Sequence, residues 1–206
     1  ALIDSADIET AVFTYWDGVV LGTIGWFHGA DSMMADEAIS EVFAGAACWW
    51  GATPTGDFTA GRVDEPDEDA VAFTLAAYDV IDAEIVDPPA GSSPPRWKQR
   101  VGYQKNWSVQ GSDIAAAVTA TRRQFLVAEF RSVFSASGTI LSDYALATDP
   151  DPMPSLWYDS TYAQAESSRL LSLLGTGRTT VRVRLNEIGH LVRLGDTVSL
   201  TFPRIN

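Results

Sequence analysis

Residues 96–110, Arg-Trp-Lys-Gln-Arg-Val-Gly-Tyr-Gln-Lys-Asn-Trp-Ser-Val-Gln, constrain this chain more than any other stretch. The odd positions are Trp97, Gln99, Val101, Tyr103, Lys105, Trp107 and Val109; most are apolar and three are aromatic. The even positions, from Lys98 through Arg100, Gly102 and Gln104 to Gln110, carry no apolar side chain larger than glycine. Alternation with period two predicts a strand with one face against a core and the other toward water. At about 3.3 Å per residue the stretch would extend about 45 Å, much longer than an ordinary strand. A bend or bulge is therefore expected within it, at Gly102. The rest of the domain is expected to pair with this strand or pack on it.

The 206 residues suffice for one large domain or two small ones, and 46% hydrophobic content supplies a core. Charge divides the chain. Residues 1–90 hold 18 acidic residues and a single basic one, Arg62, whereas residues 91–206 hold 9 acidic and 13 basic residues. The net charge of −13 repels phosphate, so the reading includes no nucleic-acid partner. The split also permits one face of a subunit to be steered toward another, although a solubilising surface accounts for it as well. No apolar run is long enough to span a membrane, and the first residues lack a basic region followed by an apolar run, so a signal peptide is not expected there. Cys48 is alone, which excludes an internal disulfide; its setting, Ala-Ala-Cys-Trp-Trp, reads as a buried thiol. The absence of an initial Met and the abrupt Pro-Arg-Ile-Asn ending suggest a fragment truncated at both ends.

The Pro-rich segment 88–95 coincides with the charge shift and divides the chain into an acidic α+β subdomain, 1–87, and a β-rich subdomain with helices, 96–206. In the first, a hairpin is expected around Asp17-Gly18, followed by a helix from Asp31 to Trp50 capped by Asp31 or Ser32. Two short strands flank the turn Pro54–Asp57. Residues 71–75 alternate as a strand, and residues 76–86 read as a short helix or as a turn plus a strand. In the second, a helix is expected from Ser112 or Asp113 to about Ala128, then a strand over 129–135 with helix continuation as its rival. A weaker strand or turn is expected over 137–148. An amphipathic helix spans Ser160 to Leu174 with Gly175 at its end, and strands follow over 179–185 and 197–202. The fold class is α+β, mainly antiparallel, with two or three packed amphipathic helices.

Catalytic signatures are lacking. The histidines, His28 and His190, fall in a Gly-rich loop and a turn, outside any nucleophile motif, and there is no Gly-x-Ser-x-Gly, His-Glu-x-x-His, phosphate loop or dinucleotide fingerprint. The acidic run Asp64-Glu65-Pro66-Asp67-Glu68-Asp69 invites calcium, but it lacks EF-hand spacing and reads better as a solvated loop. No catalytic, cofactor or metal residue is assigned. Candidate interface residues are Trp49, Trp50 and Trp157, through packing or sugar stacking, and Arg122 and Arg123, which could grip an acidic partner or simply form a solvated helix face.

Several phrases occur in a recognisable order. They are the helix into Trp49-Trp50 with its Gly56–Val63 hairpin; Tyr103-Gln104-Lys105-Asn106-Trp107-Ser108-Val109-Gln110; Arg122-Arg123 through Phe130-Arg131; Arg169-Leu170-Leu171-Ser172-Leu173; and Leu194-Gly195-Asp196-Thr197-Val198-Ser199-Leu200. Over most of residues 40–203 this series resembles the tail hub and tail-tip proteins of long-tailed bacteriophages and prophages. The resemblance implies β-barrel-like hub domains with inserted helices, assembled as a homo-oligomeric ring, usually a trimer, in the virion. It implies contacts between tail tube and baseplate or fibre, other tail proteins as partners, synthesis in the bacterial cytoplasm, and no enzyme activity. A receptor- or glycan-binding β-module of a phage tail is the alternative, and a cell-wall hydrolase domain the second alternative.

Overall fold

The computed structural model describes residues 22–27, 33–53, 55–67, 69–88, 92–111 and 113–201. Its elements in chain order are α1 (Ala35–Gly45), β1 (Cys48–Ala52), β2 (Phe58–Arg62), β3 (Phe73–Leu75), β4 (Val80–Val86), β5 (Lys98–Tyr103), α2 (Ala120–Val127), β6 (Arg131–Ala136), α3 (Gly138–Asp143), α4 (Ser160–Leu174), β7 (Thr180–Leu185) and β8 (Val198–Leu200). The chain is α+β. Among the described residues the strands form four two-stranded ribbons, β1–β2, β3–β8, β4–β7 and β5–β6, and no barrel closes. Three ribbons are antiparallel; β3–β8 is parallel. Two of them, β3–β8 and β4–β7, join residues before the Pro-rich connector to residues after it.

The mid-chain stretch forms a strand for six residues and not fifteen. β5 stops at Tyr103, and Gln104 takes a left-handed conformation, φ 50°. The bend is therefore at Gln104, not Gly102. Gly102 remains extended because Phe130 lies on it: an added Cβ would be 3.0 Å from the Phe130 Cβ. Beyond the bend, residues 105–110 serve a different element. The Asn106 side-chain amide donates to the carbonyls of Phe125, Leu126 and Ala128, and the Gln110 amide donates to Leu126 O. These bonds satisfy carbonyls that the end of α2 leaves unpaired.

Within β5 the period-two reading holds. Gln99 and Val101 are fully buried, and α4 lies against this side: Ser167 donates through Oγ to Gln99 O at 2.8 Å. On the polar side Asp149 receives Arg100 at 2.7 Å and Lys98 at 4.0 Å. The core joins Val101 to Trp157, Ala163, Leu170 and Ala46, with Tyr103, Val133 and Met153 packed around them.

The segment 153–158 is the organising strap. It runs beside β5 through Gly102 N to Met153 O (2.8 Å) and Met153 N to Arg100 O (3.0 Å). It then reaches the end of α1, Leu156 N to Gly45 O at 2.9 Å, and residues 23–25, where Ile24 bridges Trp157. Ser155, Leu156 and Trp157 are all nearly inaccessible. Gly45 has no side chain because Leu156 occupies the space; an added Cβ would stand 2.4 Å from its Cγ.

Several boundaries differ from the sequence reading. The first helix begins at Ala35 after Met34 and ends at Gly45, and Trp49 and Trp50 belong to β1. Asp31, Ser32 and the Asp17-Gly18 hairpin lie outside the described residues. α2 begins at Ala120, capped by Thr119, whose Oγ1 accepts from Arg122 N; Asp113 is not its cap, and Ser112 is not among the described residues. Residues 138–143 are helical where a strand or turn was expected, since Ser137 accepts from Ile140 N and starts a turn of helix. Residues 77–79 turn into the strand β4, and 131–136 are strand and not helix. α4 matches its predicted span, with Asp159 as cap. No described helix is long and apolar enough to cross a membrane.

Candidate functional site

The bend at Gln104 opens a cleft of about 410 Å³ between the strap and α2. Its floor is Leu156 and Trp157, supported by Gln104 N donating to Trp157 O at 2.8 Å. One wall is aromatic and internally neutralised. Lys105 Nζ pairs with Glu41 at 3.1 Å and sits 4.0 Å from the Trp107 ring centre, while Trp26 Nε1 donates to the same Glu41 carboxylate. The opposite wall is cationic. Phe125 carries the Arg131 guanidinium at 4.7 Å and that of Arg122 at 5.1 Å from its ring centre. Both arginines are exposed, and no carboxylate among the described residues lies within ion-pair distance of either. Tyr158, 62% exposed, stands at the rim. Trp157 is 3% exposed, and its indole N–H has no acceptor among the described residues.

This arrangement brings two of the five predicted residues, Arg122 and Trp157, into one place. Arg123 is separate: its guanidinium donates to Ala115 O at 3.1 Å and straps down the loop before α2. Trp49 and Trp50 belong to the β1–β2 hairpin and are half-buried. Trp49 covers Gly61 across the ladder, where an added Cβ would come 2.2 Å from the Trp49 Cζ2. Trp50 stacks on Phe58, with centroids 5.7 Å apart, and donates to Ser40 Oγ at 3.1 Å. Lys105, Phe125 and Arg131 complete the cleft without having been singled out. Their signal was the left-handed break at Gln104, which an alternating pattern conceals.

A second polar cluster is structural. Glu166 on α4 is 4% exposed and takes both nitrogens of Arg169, Nη2 at 2.6 Å and Nε at 2.9 Å. Arg169 also reaches Val63 O and Asp64, and Arg62 joins Asp64 at 3.1 Å. Burial opposes the Arg169 charge, but the Glu166 and Asp64 carboxylates outweigh it and raise its pKa. Asp64 and Glu65 of the acidic run are thus committed to arginines, Glu65 to Arg178 at 3.4 Å. Cys48, opposite Arg62 in the ladder, has its thiol pushed up to about 11 by burial, and a neutral thiol is a poor nucleophile. His190 lies exposed in a 3₁₀ turn, and His28 is not among the described residues. No group of three metal-ligating side chains assembles among the described residues.

A third feature is the β4–β7 ribbon. Ala83 faces Val183 and Ile85 faces Val181, so one side is apolar, and Ile85 is 67% exposed; Ile81, 60% exposed, sits at a register shift between Val80 and Asp82. The other side is charged, with Asp82 opposite Arg184 and Glu84 bound to Arg182 at 2.7 Å. Comparisons with protein-family models, with curated proteins and with solved structures find no match to this chain.

Proposed function

We propose that this chain is a structural subunit of a bacteriophage tail hub or tail tip, working by assembly and carrying out no reaction. The ordered phrases from Trp49-Trp50 to Leu194–Leu200 motivate the family. The observation that supports assembly is the partly uncovered apolar side of β4–β7, where Ile85 stands 67% exposed beside Val181. Water-exposed isoleucines on a two-stranded ribbon favour burial against another surface. A second copy of this chain is the occupant that a ring requires, and the split between acidic and basic halves would orient the approach. The ring, a trimer by the resemblance, would sit in the virion between tail tube and baseplate or fibre.

The test is mass by light scattering over a concentration series, together with immunodetection in purified tail particles. Oligomers that grow with concentration, and a signal in the particles, are expected. A strict monomer that is absent from particles would refute the assembly reading. The cleft favours a second reading, a receptor-binding module of the tail, because exposed aromatics next to cations that pair with no carboxylate among the described residues are suited to ligands and not only to packing.

A further inference from the structure

We infer that the cleft between the strap and α2 binds a carboxylate-bearing sugar, with Arg122 and Arg131 taking the carboxylate and the aromatic rim taking the sugar face. This deepens the receptor-binding reading and does not depend on the hub assembly.

The charge argument comes first. The chain carries −13, so a place where two guanidiniums lie within reach of one ring, with no carboxylate among the described residues at ion-pair distance, is a local reversal of sign. Lys105 adds little to it, because Glu41 neutralises it. Arg122 and Arg131 are therefore the charges left for a ligand, and a guanidinium fork suits a planar carboxylate. They are also positioned in advance. Both lie on Phe125, which itself is placed by α2, and Asn106 holds the end of that helix through three carbonyls. Arg131 is further anchored as the first residue of β6, paired with Tyr103. Preorganisation of this kind lowers the cost of binding.

The apolar argument fixes the rest of the ligand. Trp26 and Trp107, 39% and 38% exposed, and Tyr158 offer ring faces and edges around the same opening. The C–H face of a pyranose stacks on such surfaces, whereas its hydroxyls need donors and acceptors. Gln104 lines the cleft and offers both a donor and an acceptor through its side-chain amide. A volume of about 410 Å³ admits one or two sugar units. A fully apolar ligand would leave the arginines idle, and a phosphate-rich polymer would be repelled by the chain's net charge of −13.

The experiment is titration of the chain with glucuronate, followed by tryptophan fluorescence and by the indole N–H resonances. Glucose and the methyl ester of glucuronic acid serve as uncharged controls. An acetylated, amidated peptide of residues 64–69 represents an acidic protein segment. Saturable binding of glucuronate is expected, at least ~10-fold tighter than either control, with a shift of the Trp157 indole resonance. Arg131→Gln and Arg122→Gln should each weaken it by about 10-fold while leaving the thermal transition in place, because both side chains are exposed. Equal affinity for glucuronate and its ester, or no effect of either arginine substitution, would overturn the proposal. Binding of the peptide without glucuronate would overturn it too, and would assign the cleft to a protein partner.

Discussion

Glu166 is the residue through which α4 holds the end of β2. It is buried on α4, and its carboxylate holds Arg169, which in turn holds Val63 and Asp64 at the end of β2. Glu166→Ala leaves a half-buried guanidinium with Val63 O and, as its carboxylate, only the more exposed Asp64, so a loss of about 3 kcal/mol is expected in urea unfolding. Replacing both members, Glu166→Ala with Arg169→Met, should cost less than the single change, because no uncompensated charge remains. A double variant less stable than Glu166→Ala would show that the pair matters for packing and not for charge. Cys48 offers a pH prediction in the same region. Its thiol is raised from 9.0 to about 11 by burial, so the folded state prefers the neutral form. The corresponding stability is fully present below pH 9 and is lost as pH rises through 11. Iodoacetamide should therefore label native Cys48 slowly at pH 8–9 and quickly in urea; equal rates would contradict the burial.

At the scale of elements, the bend at Gln104 separates two roles within one alternating run. β5 is a strand because its odd side chains meet α4, whereas residues 105–110 close the end of α2. Asn106→Ala removes the two N–H groups that the carbonyls of Phe125, Leu126 and Ala128 share. A loss of about 1–2 kcal/mol is expected, concentrated in α2. Hydrogen exchange should accelerate at α2 amides and remain slow in α4. Uniform acceleration across both helices would mean that Asn106 acts on the whole fold and not on the end of one helix. The boundary of α2 illustrates why residues 113–119 misled: Ile114 and Val118 continue an apolar spacing, yet the capping hydroxyl is Thr119, and only seven residues separate it from Val127. Spacing measures which residues could share a face; a cap decides where the hydrogen bonds begin.

For the whole molecule, the described strands form four ribbons, of which β5–β6 is packed against the strap and α4, and the apolar side of β4–β7 is partly open at Ile85. Two-stranded ribbons gain little stability alone, so they depend on what covers them. Ile85→Asp places charge on that side without touching the core. Retained melting with a mass fixed at one protomer is the expected result; oligomers that persist would move the interface elsewhere. The Pro-rich connector at 88–95 reads as a boundary, yet β3–β8 and β4–β7 pair across it, so the two halves share sheets.

The sequence by itself determined the α+β class, the hairpin around residues 52–58, the span of α4 and the buried row of β5. Each rests on local periodicity or on a turn, which neighbours in the chain can encode. Only the tertiary structure decided that the mid-chain run bends at Gln104, that the segment 153–158 straps the fold together, and that Arg122 and Arg131 meet on one ring. Those depend on contacts between residues far apart in sequence: Trp157 O holds the bend, Gly45 and residues 23–25 flank the strap, and Phe125 on a helix gathers an arginine from a strand. Periodicity carries no record of such meetings, because the free energy that selects them comes from burying surfaces that the chain brings together only when folded.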